Sequence, residues 1–159
     1  MKTRRSPDWP TLQEVAEREF GTELSAVEAE HAGATRARWW STFCKSKQCK
    51  QQWREDGMYW HVFSFGVFLH FTGFLANQEY QKSKSRGTLI LTGDESIPVY
   101  RAARRPLEVG EILRLHTVAL APRYLDLYVC DDKCSWTYVV THELNMGPYF
   151  ARSSWGPKQ

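Results

Sequence analysis

Apolar positions follow two different rhythms along this chain. Leu12, Val15, Ala16 and Phe20 recur at the spacing of one helical face. Thr11-Leu-Gln-Glu14 opens that stretch with a capping-box pattern, and Gly21 follows it as a natural stop, so a helix is predicted between them. Ser25-Ala-Val-Glu28 repeats the pattern and predicts a second short helix reaching about His31. A third helix is expected from about Thr35 into the Lys45–Cys49 region, with Trp39, Trp40 and Phe43 inside and the basic residues outside. Gly73 to Ser85 is amphipathic enough for another, with Phe74, Leu75 and Tyr80 inward and Lys82, Lys84 and Arg86 near the C-terminal end, where cations suit the dipole.

The β rhythm appears first at Tyr59-Trp-His-Val-Phe-Ser-Phe65, a run dense in β-formers that predicts a strand. Thr88–Thr92 and Ile97–Arg101 flank a turn-like Gly93-Asp-Glu-Ser96 and predict a hairpin, with Pro98 pushing the second strand toward an edge. Leu107 to Leu120 is helical in part, with Pro122 ending it. Leu125–Val129 and Trp136–Thr141, separated by Asp131-Asp-Lys-Cys134, predict a second hairpin, followed by a short closing strand at Tyr149-Phe150. The sum is a single α+β domain over residues 11–152, with N-terminal helices packed on a mixed or antiparallel sheet of about four to six strands. Residues 1–10, where Pro7 and Pro10 bracket Asp8-Trp9, and 153–159 are expected to be flexible tails.

Length and composition agree with one folded domain: 159 residues, 14% of them aromatic, suffice for a core without staples. The longest apolar stretch, Val67 to Leu75, is interrupted by His70, Thr72 and Gly73 and is too short to span a bilayer. Met1-Lys-Thr-Arg-Arg-Ser-Pro lacks the apolar core of a signal peptide, which predicts a reducing, cytoplasmic setting. The formal charge of +3 is small, but its distribution is polarised. Six basic residues and no acid lie between Arg36 and Arg54, while acids gather at Glu14–Glu30 and at Asp126, Asp131, Asp132 and Glu143. This describes two solvated faces of opposite sign, or a surface that steers a charged partner.

Chemistry is sparse. Cys44, Cys49, Cys130 and Cys134 form two close pairs, yet neither has the tight spacing of a zinc knuckle, and ordinary reduced cysteines are expected. On one continuous helix Cys44 and Cys49 would point about 140° apart. His142 and Glu143 end the second hairpin, but at adjacent strand positions they face opposite ways and do not converge as an acid–base pair must. His61 on a neighbouring strand could approach His142; otherwise the imidazole simply pins the loop through Gly147-Pro148. No phosphate-cradling loop, nucleophile elbow or His-Glu-x-x-His motif occurs, so neither enzyme, metal nor cofactor is predicted. Trp39, Trp40, Phe43 and Trp53 interleave with cations as in single-strand nucleic-acid binders, although a helix with an aromatic stripe and a basic outer face has the same pattern.

Trp60-His-Val-Phe-Ser64, Asp126-Leu-Tyr-Val, Ser135-Trp-Thr-Tyr-Val-Val-Thr-His-Glu143 and Gly147-Pro-Tyr-Phe150 together resemble a group of small bacterial α+β proteins. The shared pattern is Trp-His-x-Phe-Ser in mid-chain and Ser-Trp-Thr, Thr-His-Glu and Gly-Pro-Tyr-Phe near the end, with His61, Trp136 and His142 inside it. Some such proteins look like immunity proteins of polymorphic toxin systems. The resemblance implies a non-enzymatic cytoplasmic protein that binds and neutralises a cognate secreted toxin. Cys130 and Cys134 around the turn, and the long basic segment, depart from the group's pattern. Asp131, Asp132 and Glu143 beside Tyr149 would then suit a cationic toxin cleft, and Lys45, Lys47 and Lys50 an acidic one. Trp136 faces the partner or the core, and its strand position favours the core. The alternatives are a nucleic-acid-binding accessory domain using Arg36–Arg54, or a small enzyme or metal protein centred on His142 and His61.

Overall fold

The first helix follows from its local sequence. In the computed structural model, which describes residues 8–44, 57–143 and 145–156, α1 runs Leu12–Phe20. Thr11 accepts from the Glu14 N–H while the Glu14 carboxylate accepts from the Thr11 N–H, and Gly21 closes the helix at φ 58°. The remaining helices are α2 (Ala29–Phe43), α3 (His61–Ser64), α4 (Gly73–Ser83) and α5 (Val109–Leu115). The last continues as a π-turn, His116–Leu120, and a 3-10 turn, Ala121–Arg123, where Pro122 needs no N–H.

The strands are β1 (Ser25–Ala26), β2 (Phe71–Thr72), β3 (Thr88–Thr92), β4 (Tyr100–Ala102), β5 (Leu127–Cys130), β6 (Trp136–Val140) and β7 (Tyr149–Arg152). They form one antiparallel sheet in the order β1-β4-β3-β5-β6-β7-β2. Its central strands are buried on both faces. Leu89, Leu91, Tyr128, Val139 and Tyr149 point to one side, where α2 and α3 contribute Trp39, Phe43 and Phe63. Ile90, Val129, Trp136, Tyr138 and Phe150 point to the other, against α1, α4 and α5. The fold is therefore α+β with the sheet between two helical layers. Period-two alternation here separates two cores, not core from solvent, so both sets of positions are apolar.

Four local expectations are corrected. Ser25-Ala26 is strand, not helix, because it pairs with Tyr100 and Arg101 at the sheet edge. Within residues 59–65, His61–Ser64 form the short helix α3 between turns, not a strand: the Trp60 and Phe63 side chains are drawn into the core, and tertiary packing overrides β-propensity. Phe74 and Leu75 are exposed, leaving Ala76 and Tyr80 as the buried face of α4. α2 ends at Phe43 with Cys44 as its C-cap, and the expected Lys45–Cys49 part of the helix lies outside the described residues. The two-residue β1 and β2 bring the strand number to seven, and residues 153–155 continue as a 3-10 turn whose Trp155 packs on Phe71 and Phe150.

Candidate functional site

The hairpin register places the site. Leu127 pairs with Val140, so the residue before β5, Asp126, lies beside the chain that leaves β6 as Thr141-His142. Asp126 is buried, with 3% of its side chain exposed. One carboxylate oxygen accepts both the His142 backbone N–H, at 2.8 Å, and the His142 ring, with Nδ1 at 2.7 Å. The other accepts the Trp60 indole N–H at 2.9 Å. Three donors from two distant segments thus converge on one carboxylate, and the tautomer of His142 is set by that acceptor.

Burial pushes the Asp126 carboxyl above its ordinary range, while the bonds from His142 pull it back. His116 lies nearby, its Nε2 at 2.9 Å from the Leu125 carbonyl, and burial holds its imidazole below the usual value against the opposing effect of that bond. Aromatic rings complete the wall. The Trp60 ring meets His61 at 4.2 Å, stacks on Tyr149 at 6.4 Å and meets the edge of His142 at 6.2 Å, with exposed Tyr124 on the other side of His142. His61 Nδ1 pairs with the Ser64 hydroxyl at 3.0 Å. All four motif segments, from Trp60, Asp126, His142 and Tyr149, therefore meet in one knot.

The expectation that His61 lies on a strand neighbouring His142 is corrected: His61 opens α3, and each imidazole meets the Trp60 ring. Other assignments change. Tyr149 is buried, at 4% exposure, and Trp136 is core, stacked on Phe150. Asp131 accepts the Ser135 N–H, and Asp132 is bridged by both guanidinium nitrogens of Arg101, with the Arg38 guanidinium on its carbonyl. Asp132 is thus already paired with Arg101, while Asp131 is tied to the backbone of the turn. Glu143 is exposed. Lys45, Lys47 and Lys50 lie outside the described residues. Cys130 and Cys134 are buried free thiols with their sulfurs 3.9 Å apart, whereas Cys44 is disulfide-bonded, which corrects the expectation of ordinary reduced cysteines throughout. Among the described residues no three metal-ligating side chains cluster.

Sequence reasoning missed Asp126 as the centre of this knot. The signal was present: an acid immediately preceding an apolar strand, in register with Thr-His at the end of its partner strand. It also missed a run of exposed apolar side chains along β2 and the start of α4: Leu69, Phe71, Phe74 and Leu75 are all solvent-exposed, Phe74 by 73%. Gly73 N–H bonds to the Pro148 carbonyl at 2.9 Å and draws the Met146 loop toward the start of α4.

A sheet sandwiched between helices, with Asp126, His142 and Trp60 pinned together at one end of the β5–β6 hairpin, defines an α+β scaffold. The chain belongs to DUF4275, a family of domains of unknown function, matching it over residues 28–150. Trp60, Asp126, His142 and Tyr149 all fall inside that span, while α1 precedes it. No curated protein and no solved structure matches the chain. Among the described residues, no helix is long and apolar enough to cross a membrane.

Proposed function

We propose that this protein works by binding another protein, and that it is an immunity protein neutralising a cognate toxin in the cytoplasm, without chemistry of its own. The toxin class comes from the motif resemblance. The observation that carries the binding role is the run of exposed apolar side chains Leu69, Phe71, Phe74 and Leu75 along β2 and the start of α4. Large apolar side chains exposed so close together are the kind of feature that marks interaction sites. This surface replaces the acidic turn as the partner-facing element. Two aromatics and two leucines within seven residues, Leu69 to Leu75, supply the kind of anchors that dominate binding energy.

The test is growth rescue. The protein is captured with its partner from the native host, the partner's toxic domain is expressed alone, and this chain is co-expressed with it. Rescue by the wild type and its loss in Phe74→Asp is the expected pair of results. Phe74 is the second residue of α4 and exposed, so an acid there suits the helix N-terminus and leaves stability within about 0.5 kcal/mol. Loss of an anchor should weaken binding by about 2 kcal/mol, roughly thirtyfold. Undiminished rescue by Phe74→Asp would remove this surface from the interface.

One observation favours a second reading, in which His142 is a general base oriented by Asp126: the 2.7 Å bond to a buried carboxylate is the arrangement such a base requires. Rescue that survives His142→Gln rejects it.

A further inference from the structure

On the opposite half of the sheet from β2, a cleft of about 350 Å³ opens between α2 and the turn joining β3 to β4. We infer that it binds a small zwitterion of the α-amino-acid class with an apolar side chain. The inference is independent of the toxin-binding reading, and rests on two charges that share the cleft without meeting.

Arg36 forms one wall. Its Nη2 donates to the carbonyls of Ile97, at 2.7 Å, and Asp94, at 3.3 Å, which fixes the guanidinium in place. Its Nε is buried with no acceptor, and among the described residues Nη1 has none either. Among the described residues no carboxylate bonds to Arg36. Asp94 lies close enough to feel its charge, but the Asp94 carboxylate is occupied by the Ser96 N–H and hydroxyl, at 2.9 and 2.6 Å. Glu95 lines the same cleft, is exposed, and forms no ion pair among the described residues. A fixed cation and an unengaged anion therefore border one small volume. A dicarboxylate would be repelled by Glu95, and a simple amine would leave Arg36 unanswered. A ligand carrying both charges on adjacent carbons satisfies each, its carboxylate accepting from Nη1 and its ammonium donating to Glu95.

Small and aromatic residues line the rest of the cleft. Ala29, Gly33 and Ala37 recur at one-turn spacing on α2 and leave room above the helix: a Cβ on Gly33 would meet nothing within 4 Å. Trp40 and Tyr59, edge to face at 5.3 Å, line the cleft as its aromatic wall. The volume lies at the small end of the range for small-molecule sites, about 300–1,000 Å³, which suits a single amino acid better than a nucleotide.

Calorimetric titration of the full chain tests this, with L-phenylalanine and L-leucine as probes, and phenylpropanoate and phenethylamine as analogues lacking the ammonium and the carboxylate. Saturable binding of at least one amino acid is expected, with each analogue weaker by about tenfold to a hundredfold, the loss of one charge-assisted hydrogen bond. Gly33→Leu fills the cleft and should abolish binding, while raising helix propensity so that the fold persists by circular dichroism. Glu95→Gln should erase the preference for phenylalanine over phenylpropanoate. The inference is overturned if neither amino acid binds at about 10 mM, if phenylpropanoate binds as tightly as phenylalanine, or if folded Gly33→Leu binds as well as wild type.

Discussion

Replacing Asp126 by Asn isolates the charge of the central carboxylate with almost no change in shape. The amide oxygen can still accept the two donors of His142, but the amide nitrogen then faces the Trp60 indole N–H, donor against donor. Trp60 is 1% exposed, so that N–H has no access to water, and stranding it costs about 1–3 kcal/mol. The two surviving bonds fall from charge-assisted to neutral, a loss of about 1 kcal/mol each. Relief from burying a charge offsets part of this, and its existence is visible in the upward displacement of the Asp126 carboxyl. A net loss of about 2–4 kcal/mol is expected. Urea denaturation at neutral pH measures it as a lower midpoint at unchanged slope. Trp60→Phe removes the stranded donor, so a double-mutant cycle should show coupling of about 1 kcal/mol or more between the sites. A loss under about 0.5 kcal/mol in Asp126→Asn, or strict additivity with Trp60→Phe, would refute the claim that this carboxylate ties the two segments together.

Other perturbations have equally definite outcomes. Gly93 and Gly57 meet backbone to backbone, and a Cβ on Gly93 would overlap the Gly57 carbonyl, so Gly93→Ala should cost about 1–3 kcal/mol in thermal or urea unfolding. His116 is held below 6.5 in the folded state, so the unfolded chain takes up its proton first as pH falls. Stability from this group is complete above 6.5 and is lost as pH drops from there toward the folded-state value. Asp126 has the opposite sign: its raised folded-state value makes the fold gain stability as pH falls toward 3.8. Urea midpoints taken at neutral pH and in the pH range just below 6.5 should therefore decline in the wild type and decline less in His116→Gln.

Local chemistry was readable wherever it acts alone. Thr11, Glu14 and Gly21 specify α1 without help from the rest of the chain, and the run around Asp131–Cys134 marks the β5–β6 hairpin. Residues 59–65 misled because Tyr, Trp, Val and Phe are strand formers by propensity, yet here they serve as anchors that one helical turn delivers into the face lined by Trp39 and Tyr128. Ser25 misled for a related reason: a capping box is a local signal, and pairing with Arg101 outweighs it. Phe74 and Leu75 fit an inward helical face as well as an outward one, and only the position of α4 against β7 decides. The His142 site was half legible. The histidine stood out by its place at a strand end, but Asp126 and Trp60 join it only through strand register and the packing of α3.

The two strands at the margins of the sheet are each two residues long, and this limits how the molecule can be approached. β1 offers little backbone to an incoming chain, and β2 runs directly into α4 through Thr72 and Gly73. A guest cannot extend the sheet by main-chain hydrogen bonding over any useful length. Recognition must then be read from side chains, residue by residue, and affinity should be altered by single substitutions instead of being spread along a shared backbone ladder. The same truncation protects the isolated protein from strand-to-strand polymerisation despite an interior rich in β-branched and aromatic residues.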